Sequence, residues 1–335
     1  MPNAGKSTLF KALTKNKVDI AAYPFTTIKP NLGIVAVPDK RLEKVAEIIK
    51  PEKTTPTIIE FIDIAGLVKG AHLGQGLGNQ FLAQIRTCSA ILEVVRGFNK
   101  ADVEHVEGDI NPERDAEIIK LELLMKDLET LEAILVRLEK ESKTKDKKII
   151  GQIELFKRIK DWVSKERLII ELDLKSEERL EIKEYQFLTD KPIIYILNTN
   201  QDKTFSLKAE HLTLNLKLEE EISDLSEEEQ KELGTNPMLD QLIIACYNTL
   251  GLITFFTVAG GKETRAWTIK KGSKAPEAGG CVHSDFQDKF IKAEVISWNK
   301  LVEAGNWHKA RELGWLKTAG HDYLVEDGDV IEFKI

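Results

Sequence analysis

The hexapeptide Asn3-Ala4-Gly5-Lys6-Ser7-Thr8 constrains this chain more than any other stretch of it. It is the second half of the pattern G-x-x-x-x-G-K-[ST], and it runs straight into a helical segment carrying Leu9, Phe10 and Leu13. A glycine turn that opens a helix presents backbone N–H groups and the positive end of the helix dipole, so this segment is suited to cradling phosphate oxygens. Lys6 adds a point charge for β and γ phosphates, and the Ser7 hydroxyl suits Mg²⁺. Gly-Lys-Ser is a common tripeptide, so its companions decide the reading. The motif also begins at residue 1, with no strand in front of it. The expectation is a chain lacking the first glycine of the pattern and the strand before it, with a less stable nucleotide-binding domain and weaker phosphate binding as a result.

The companions are present in order. Asp63-Ile64-Ala65-Gly66 ends the apolar run Thr57 to Ile62. A carboxylate at such a strand end can hold Mg²⁺ through water while the Gly66 amide faces a γ-phosphate. Thr26 and Thr27, in a polar loop after Pro24, offer a hydroxyl to complete the magnesium shell. Asn198 ends the run Ile193 to Leu197, just outside the carboxyl end of a strand, where nucleotide-binding α/β proteins place base-reading side chains. Four elements in this order are improbable by chance, and they predict an α/β P-loop nucleotide-binding domain.

A chain of 335 residues has room for two domains, or for one core domain carrying a large insertion. Short apolar runs at 33–37, 57–62, 90–95 and 192–197 alternate with helical segments in the manner of a parallel sheet with crossover helices. In the gap before the last run, after Asn111-Pro112, Leu121, Leu124, Leu128, Leu131, Leu135 and Leu138 recur at spacings of three and four, a coiled-coil seam. Ile149, Ile153, Phe156, Ile159 and Val163 form a second stripe beyond a lysine-rich break, so an inserted antiparallel helical hairpin is expected. The acidic run 219–232 reads as a solvated helix face.

From Leu252 the period changes. Runs at 252–258 and 263–269 flank Gly260-Gly261, a hairpin signal. Ser284 and Gln287 have the spacing of a capping box at the start of a short helix. Strand-like runs follow at 292–298 and 323–325, and an Asp327-Gly328 turn leads to the closing strand Val330 to Ile335. This order predicts a small α+β domain of the ubiquitin-like β-grasp kind. The expected division is a nucleotide-binding domain of residues 1–111 and 189–251, a helical insertion of 112–188 and a β-grasp domain of 252–335.

Composition narrows the partners. Hydrophobic residues at 42% with charged residues at 31% exclude a disordered or collagen-like chain. No apolar run approaches the ~20 residues needed to span a bilayer, and neither a secretory signal nor a cysteine framework is visible in Cys88, Cys246 and Cys281. A cytoplasmic protein is expected. With a net charge of −7 the chain has no global attraction to nucleic acid or anionic lipid, so neither DNA nor a membrane is an expected partner. RNA would need a local basic patch. Lys140, Lys143, Lys145, Lys147 and Lys148 cluster at the hairpin turn against Glu139, Glu141 and Asp146. That tip reads equally as a solvated turn or as a contact for RNA phosphates. Trp267, Trp298, Trp307 and Trp315 read as packing residues.

With Tyr23-Pro24-Phe25-Thr26-Thr27, the run Asp63 to Ala71, Gly76-Leu77-Gly78-Asn79, Arg265-Ala266-Trp267-Thr268-Ile269 and Gly320-His321-Asp322-Tyr323, the chain resembles the YchF / Obg-like ATPase family over nearly its whole length. These are translation-factor-class P-loop NTPases, and residues 252–335 look like that family's TGS domain. The resemblance implies a cytoplasmic nucleotide hydrolase that associates with ribosomes, through contacts at the 140–148 tip and the TGS domain. It puts phosphate binding on Asn3, Ala4, Gly5, Lys6, Ser7 and Thr8, magnesium on Ser7 and Thr27, and base recognition at Asn198, Thr199 and Gln201.

Departures from the usual patterns bear on mechanism. Asn198-Thr199-Asn200-Gln201 stands where GTPases carry Asn-Lys-x-Asp, whose carboxylate accepts two hydrogen bonds from guanine. A carboxamide donates and accepts at once, which suits adenine, so ATP is favoured over GTP. The family usually has Glu at the Gln201 position, and Asp202 next door could restore a carboxylate, so GTP stays as the alternative. Leu67 follows Asp63-x-x-Gly66 where a Ras-like protein has a water-orienting Gln, so intrinsic turnover is expected to be slow and dependent on another group or partner. The candidate catalytic set is Lys6, Asp63, Gly66 and His72, with His72 read either as an exposed loop histidine or as a group that swings towards the phosphate. Asn3 sits where some P-loop proteins help bind K⁺. The rival reading is a catalytically idle ribosome- or RNA-binding adaptor.

Overall fold

A computed structural model describes residues 1–15, 31–64, 78–99, 108–142, 146–200, 205–232, 238–259 and 261–335. In chain order the first elements are α1 (Lys6–Thr14), β1 (Leu32–Ala36), α2 (Lys40–Ile49), β2 (Lys53–Thr55), β3 (Ile58–Ile62), α3 (Gly78–Thr87) and β4 (Ile91–Arg96). Next come α4 (Pro112–Glu141), α5 (Lys147–Val163), α6 (Ser176–Ile182), β5 (Ile193–Asn198), β6 (His211–Leu214), α7 (Leu216–Ile222), α8 (Glu227–Glu232) and α9 (Met238–Thr249). The remainder holds β7 (Leu252–Ala259), β8 (Glu263–Lys270), α10 (Ala275–Val282), α11 (Ser284–Asp288) and β9 (Lys292–Ser297). It closes with α12 (Trp298–Ala304), α13 (Trp307–Glu312), β10 (Lys317–Ala319) and β11 (Asp329–Lys334). The chain divides into two compact units, residues 1–12 with 63–232, and residues 13–62 with 233–335.

In the first unit β4, β5 and β6 form a parallel sheet in the order β4-β5-β6. Its register sets Arg96 level with Asn198, and Asn198 level with Leu214, so three carboxyl ends finish together. Met1, Leu82, Ile85, Ile119, Leu123 and Leu188 make the core that includes Ile91 and Ile193 of this sheet. Helix α4 starts where Pro112 follows Asn111, whose side-chain oxygen accepts from Arg114 N at 3.0 Å; a capping Asn and a first-turn Pro are both start signals.

Helix α4 serves two cores in succession. Ile119 and Leu123 belong to the sheet core, whereas Leu124, Leu131, Leu135 and Leu138 pack with Phe156, Ile159 and Val163 of α5. Leu121, expected in the seam, is only half-buried, because the first turns of α4 face the sheet and not α5. Ion pairs Glu139–Lys157 at 3.8 Å and Glu132–Lys160 at 3.0 Å link positions that run in opposite directions, as an antiparallel hairpin requires. Asp146 caps α5 by accepting from Lys148 N at 2.9 Å. Lys140, Lys147 and Lys148 are exposed at this end; Lys143 and Lys145 lie outside the described residues.

The second unit is built on a six-stranded sheet in the order β10-β9-β11-β7-β8-β2. Successive side chains of a strand point to opposite faces, and here Phe255 packs with Val295, Ile331 and Phe333 while Phe256 packs with Leu42, Val45, Ile296 and Val330. Both faces are therefore buried. Trp267 packs against the first of these cores, and Trp298, Trp307 and Trp315 against the second, as packing residues. Arg41 of α2 forks onto Asp39 and Asp327, and β2 adds a parallel edge strand to β8.

Three local expectations change. The runs 33–37 and 57–62 do not enter the parallel sheet: β1 and β3 pair with each other antiparallel, Leu32 opposite Ile62 and Ala36 opposite Ile58. The chain between them carries α2 and β2 onto the six-stranded sheet and comes back, instead of crossing over a sheet face. Residues 323–325 contribute only an isolated bridge between Leu324 and Lys274, and the strand in that region is β10. Helix α11 is capped by His283, whose Nδ1 accepts from Asp285 N at 3.2 Å, and not by Ser284. Gln287 is turned away, so that a Cβ on Gly280 would lie 2.3 Å from its Oε1.

Candidate nucleotide-binding cleft

The turn that precedes α1 is shaped by two left-handed residues, Asn3 at φ +58° and Gly5 at φ +106°. Glycine adopts such a φ at no steric cost. Space makes the same demand, because a Cβ on Gly5 would lie 2.4 Å from Asn198 Nδ2. Leu9 N donates to Gly5 O at 3.0 Å, so the helix begins directly on the glycine and leaves its first amides unpaired within it.

Asn198 closes the turn from the other side. Its Nδ2 donates to Ala4 O at 2.9 Å and its Oδ1 accepts from Leu216 N at 3.1 Å, tying the loop before α1 to the start of α7. One N–H and one lone pair of this carboxamide remain available to a ligand. Thr199 N donates to Leu214 O at 2.8 Å, which holds the next residue at the same level.

Around this clamp opens a cleft of about 770 Å³, bordered by Asn3, Gly5, Lys6, Ser7 and Thr8 on one side and Asn198, Thr199 and Asn200 on another. Phe98, Asn99, Asn215, Lys217, Leu218, Glu220 and Glu221 complete it, and sequence reasoning missed all seven. One signal was available for Phe98 and Asn99, since they directly follow a strand whose carboxyl end must open on the same crevice. Asn215 to Leu218 follow the four-residue strand β6, which is too short to stand out as a period.

Lys6, half-buried, donates from Nζ to Met1 O at 2.9 Å. Burial pulls its pKa down and the Asp63 carboxylate pulls it back up. Ser7 Oγ lies 3.4 Å from Asp63 Oδ2, a long hydroxyl-to-carboxylate contact between residues far apart in sequence. Two hard oxygen donors brought side by side at a phosphate-cradling turn fit Mg²⁺, which takes few protein ligands and keeps the rest of its shell from water and phosphate. Of the expected site residues, Asn3, Ala4, Gly5, Lys6, Ser7, Thr8, Asp63, Asn198 and Thr199 thus lie in or beside one cleft. Thr27, Gly66, His72 and Gln201 lie outside the described residues. Among the described residues there is no cluster of three or more His, Cys, Asp or Glu able to hold a metal by itself.

Residues 1–140 match the family model described as a 50S ribosome-binding GTPase, and residues 252–335 match the YchF GTPase C-terminal model, described as a protein of unknown function. The chain is 43% identical to the ribosome-binding ATPase YchF of Bacillus subtilis (strain 168), with 100% of this chain and 97% of that protein covered. It belongs to the YchF family. The ribosome-binding ATPase YchF of Escherichia coli O157:H7 is 42% identical, with 99% of this chain and 96% of that protein covered. The solved structure of the Schizosaccharomyces pombe YchF GTPase superposes with a TM-score of 0.87 at 35% identity, covering 100% of this chain and 96% of that one. A GTP binding protein from Pyrococcus horikoshii OT3 shares the fold alone, at 16% identity and a TM-score of 0.59, covering 99% and 97% of the two chains. Among the described residues no YchF-family helix of this chain is long and apolar enough to cross a membrane.

Proposed function

We propose that this chain is a ribosome-associated nucleotide hydrolase of the cytoplasm that binds ATP in preference to GTP with Mg²⁺ and turns it over slowly, as a conformational switch. The observation that carries the reading is the clamped turn itself, with Gly5 at φ +106° sealed by Asn198, and Lys6, Ser7 and Asp63 gathered at its mouth. The ribosome enters from the names of the relatives, which are ribosome-binding ATPases.

Each residue has a physical role in that reading. The amides that begin α1 and the dipole behind them orient the phosphates, and Lys6 neutralises their charge without needing to give up a proton. Mg²⁺, held by Ser7 directly and by Asp63 through water, with Thr27 as a third oxygen, would supply charge neutralisation at the β and γ phosphates. The remaining hydrogen-bonding capacity of Asn198, with Thr199 and Gln201, reads the base, and Phe98 and Leu218 give the same cleft apolar surface. The Gly66 amide faces the γ-phosphate, and His72 belongs to the glycine-rich segment 70–78 that senses it. Leu67 cannot orient water, so turnover waits on a partner. Asn3, exposed on its left-handed backbone, is available to a K⁺ ion. The exposed Lys140, Lys147 and Lys148 at the hairpin tip and the C-terminal TGS domain are the proposed ribosomal contacts. An idle adaptor has less support, because nothing in adaptor function requires a lysine, a hydroxyl and a carboxylate at one glycine turn.

The test is a titration with ATP, GTP and a non-hydrolysable ATP analogue, followed by phosphate release with and without purified ribosomes, in Na⁺ and in K⁺. Tighter ATP binding and ribosome-stimulated release that Lys6→Ala abolishes are expected. Equal or tighter GTP binding would remove the ATP preference, and release indifferent to Lys6→Ala would remove the hydrolase.

A further inference from the structure

Strand β4 ends in Arg96, and the chain from there folds closely over the end of β5. Gly97 N donates to Asn198 O at 2.8 Å. A Cβ on Gly97 would lie 2.7 Å from Leu197 Cδ1 and 3.3 Å from Asn198 O, so the absence of a side chain there lets the two strand ends approach this closely. Phe98, the next residue, is thereby carried beside Asn198, where it borders the nucleotide cleft, half-buried.

Arg96 holds that residue in two ways. Its guanidinium carbon lies 4.8 Å from the centroid of the Phe98 ring, in cation–π contact, and its Nε donates to Phe98 O at 3.1 Å. Register sets Arg96 level with Asn198. The side chain is only 2% exposed, and the Asp115 carboxylate of α4, also buried, favours its charged form. Burying a cation is costly, and an apolar side chain of similar bulk would fill the same space without that cost. A planar guanidinium can lie on a ring with its face while it donates at its edge, which a lysine ammonium cannot do. Both properties are used here, on a residue two positions along the chain.

We propose that Arg96 is a positioning residue for nucleotide binding, which presets the Phe98 ring as a stacking surface for the base beside Asn198. A ring already held on a guanidinium and tied through its own carbonyl has lost its freedom before the ligand arrives, so less of the stacking energy goes into ordering it. The phosphates are served by a different segment, the turn from Asn3 to Thr8, so their binding does not run through Arg96. The inference rests on the nucleotide-binding reading above, since a ring bordering a cleft that binds nothing has no base to stack on.

The test is a titration of the full chain, in Mg²⁺, with two probes: a non-hydrolysable ATP analogue, and inorganic tripolyphosphate, which has the phosphates without the base. Arg96→Lys and Arg96→Gln should each lower affinity for the ATP analogue about fivefold, and Phe98→Leu about tenfold, while tripolyphosphate binds all three variants as it binds the unaltered protein. Arg96→Lys combined with Phe98→Leu should bind the ATP analogue no more weakly than Phe98→Leu alone, because Arg96 acts through the ring. Phe98→Trp, with Arg96 in place, should match the unaltered affinity, and its added fluorescence should be quenched by the ATP analogue but not by tripolyphosphate. Where the Arg96 variants fail to fold, absence of that quenching still refutes the stacking surface. Equal losses for both probes, additive losses in the double variant, or unchanged affinity for the ATP analogue in a folded Arg96 variant would also overturn the proposal. An unaltered protein that binds neither probe is a different result, and it would remove the functional reading as well.

Discussion

The nucleotide cleft and the helical hairpin lie in one compact unit and are specified by opposite kinds of constraint. In the cleft the residues are small and polar, and one position, Gly5, is dictated by backbone angle and by the approach of a single side chain. In the hairpin the residues are large and apolar, and Phe156 and Ile159 are wholly buried among leucines, valine and isoleucine. The cleft tolerates no added atom at one point, whereas the hairpin tolerates no missing volume along a line. Damage to the first should appear in ligand affinity, and damage to the second in stability.

Phe156→Ala is expected to have the largest effect. It empties the centre of the hairpin seam and removes the edge contact to Tyr185, at a cost of about 3–5 kcal/mol in a chemical denaturation curve. Nucleotide affinity measured well below the melting temperature should change little, and a matching loss of affinity would break the separation of the two regions. Gly5→Ala is the converse. A methyl group 2.4 Å from Asn198 Nδ2, on a backbone at φ +106°, must displace the clamp. Nucleotide affinity should fall on the order of a hundredfold, about 2.7 kcal/mol, with a smaller change in unfolding midpoint.

A third measurement uses a buried group in the sheet of the same unit. Glu93 of β4 is buried with Oε2 unpartnered, and its pKa is pushed from 4.5 up to about 8 by burial, the Met1 amine pulling down and Asp115 pushing up. The folded chain then keeps a proton that the unfolded chain gives up. Stability contributed by this group is full below the unfolded value of 4.5 and declines as pH rises towards about 8, at no more than about 1.4 kcal/mol per pH unit. Glu93→Gln should flatten that slope in denaturation curves recorded between the two values. A slope unchanged by the substitution would show that other groups set it.

Some of this was legible from the residues and some was not, and the division follows the range of the forces involved. The strands β4 and β5, the hairpin helices and the β7–β8 pair follow from local periods of two or of three and four, which act over neighbouring residues. The cleft residues from Asn3 to Thr8, Asp63 and Asn198 were visible because phosphate and metal chemistry restricts which side chains can serve. Phe98 and Leu218 were not, because an apolar residue bordering a ligand has the same local signature as one in a core. The antiparallel pairing of β1 with β3 was hidden for a related reason. An isolated apolar run carries no mark of the direction of its partner, and here that direction depends on where α2 and β2 dock. Capping of α11 by His283 instead of Ser284 turned on one residue of register, which the spacing of polar residues alone does not mark.

By itself, then, the amino-acid sequence determined the chemistry this chain can perform and the elements that carry it, since a glycine turn, a lysine, a hydroxyl and a heptad seam each act through covalent geometry or nearest neighbours. Tertiary structure alone decided which of those elements meet. It brought Asn198 onto Ala4 across 194 positions and set Arg86 between Thr130 and Tyr185. Such contacts depend on the summed burial of surfaces remote in sequence, and no local pattern encodes that sum.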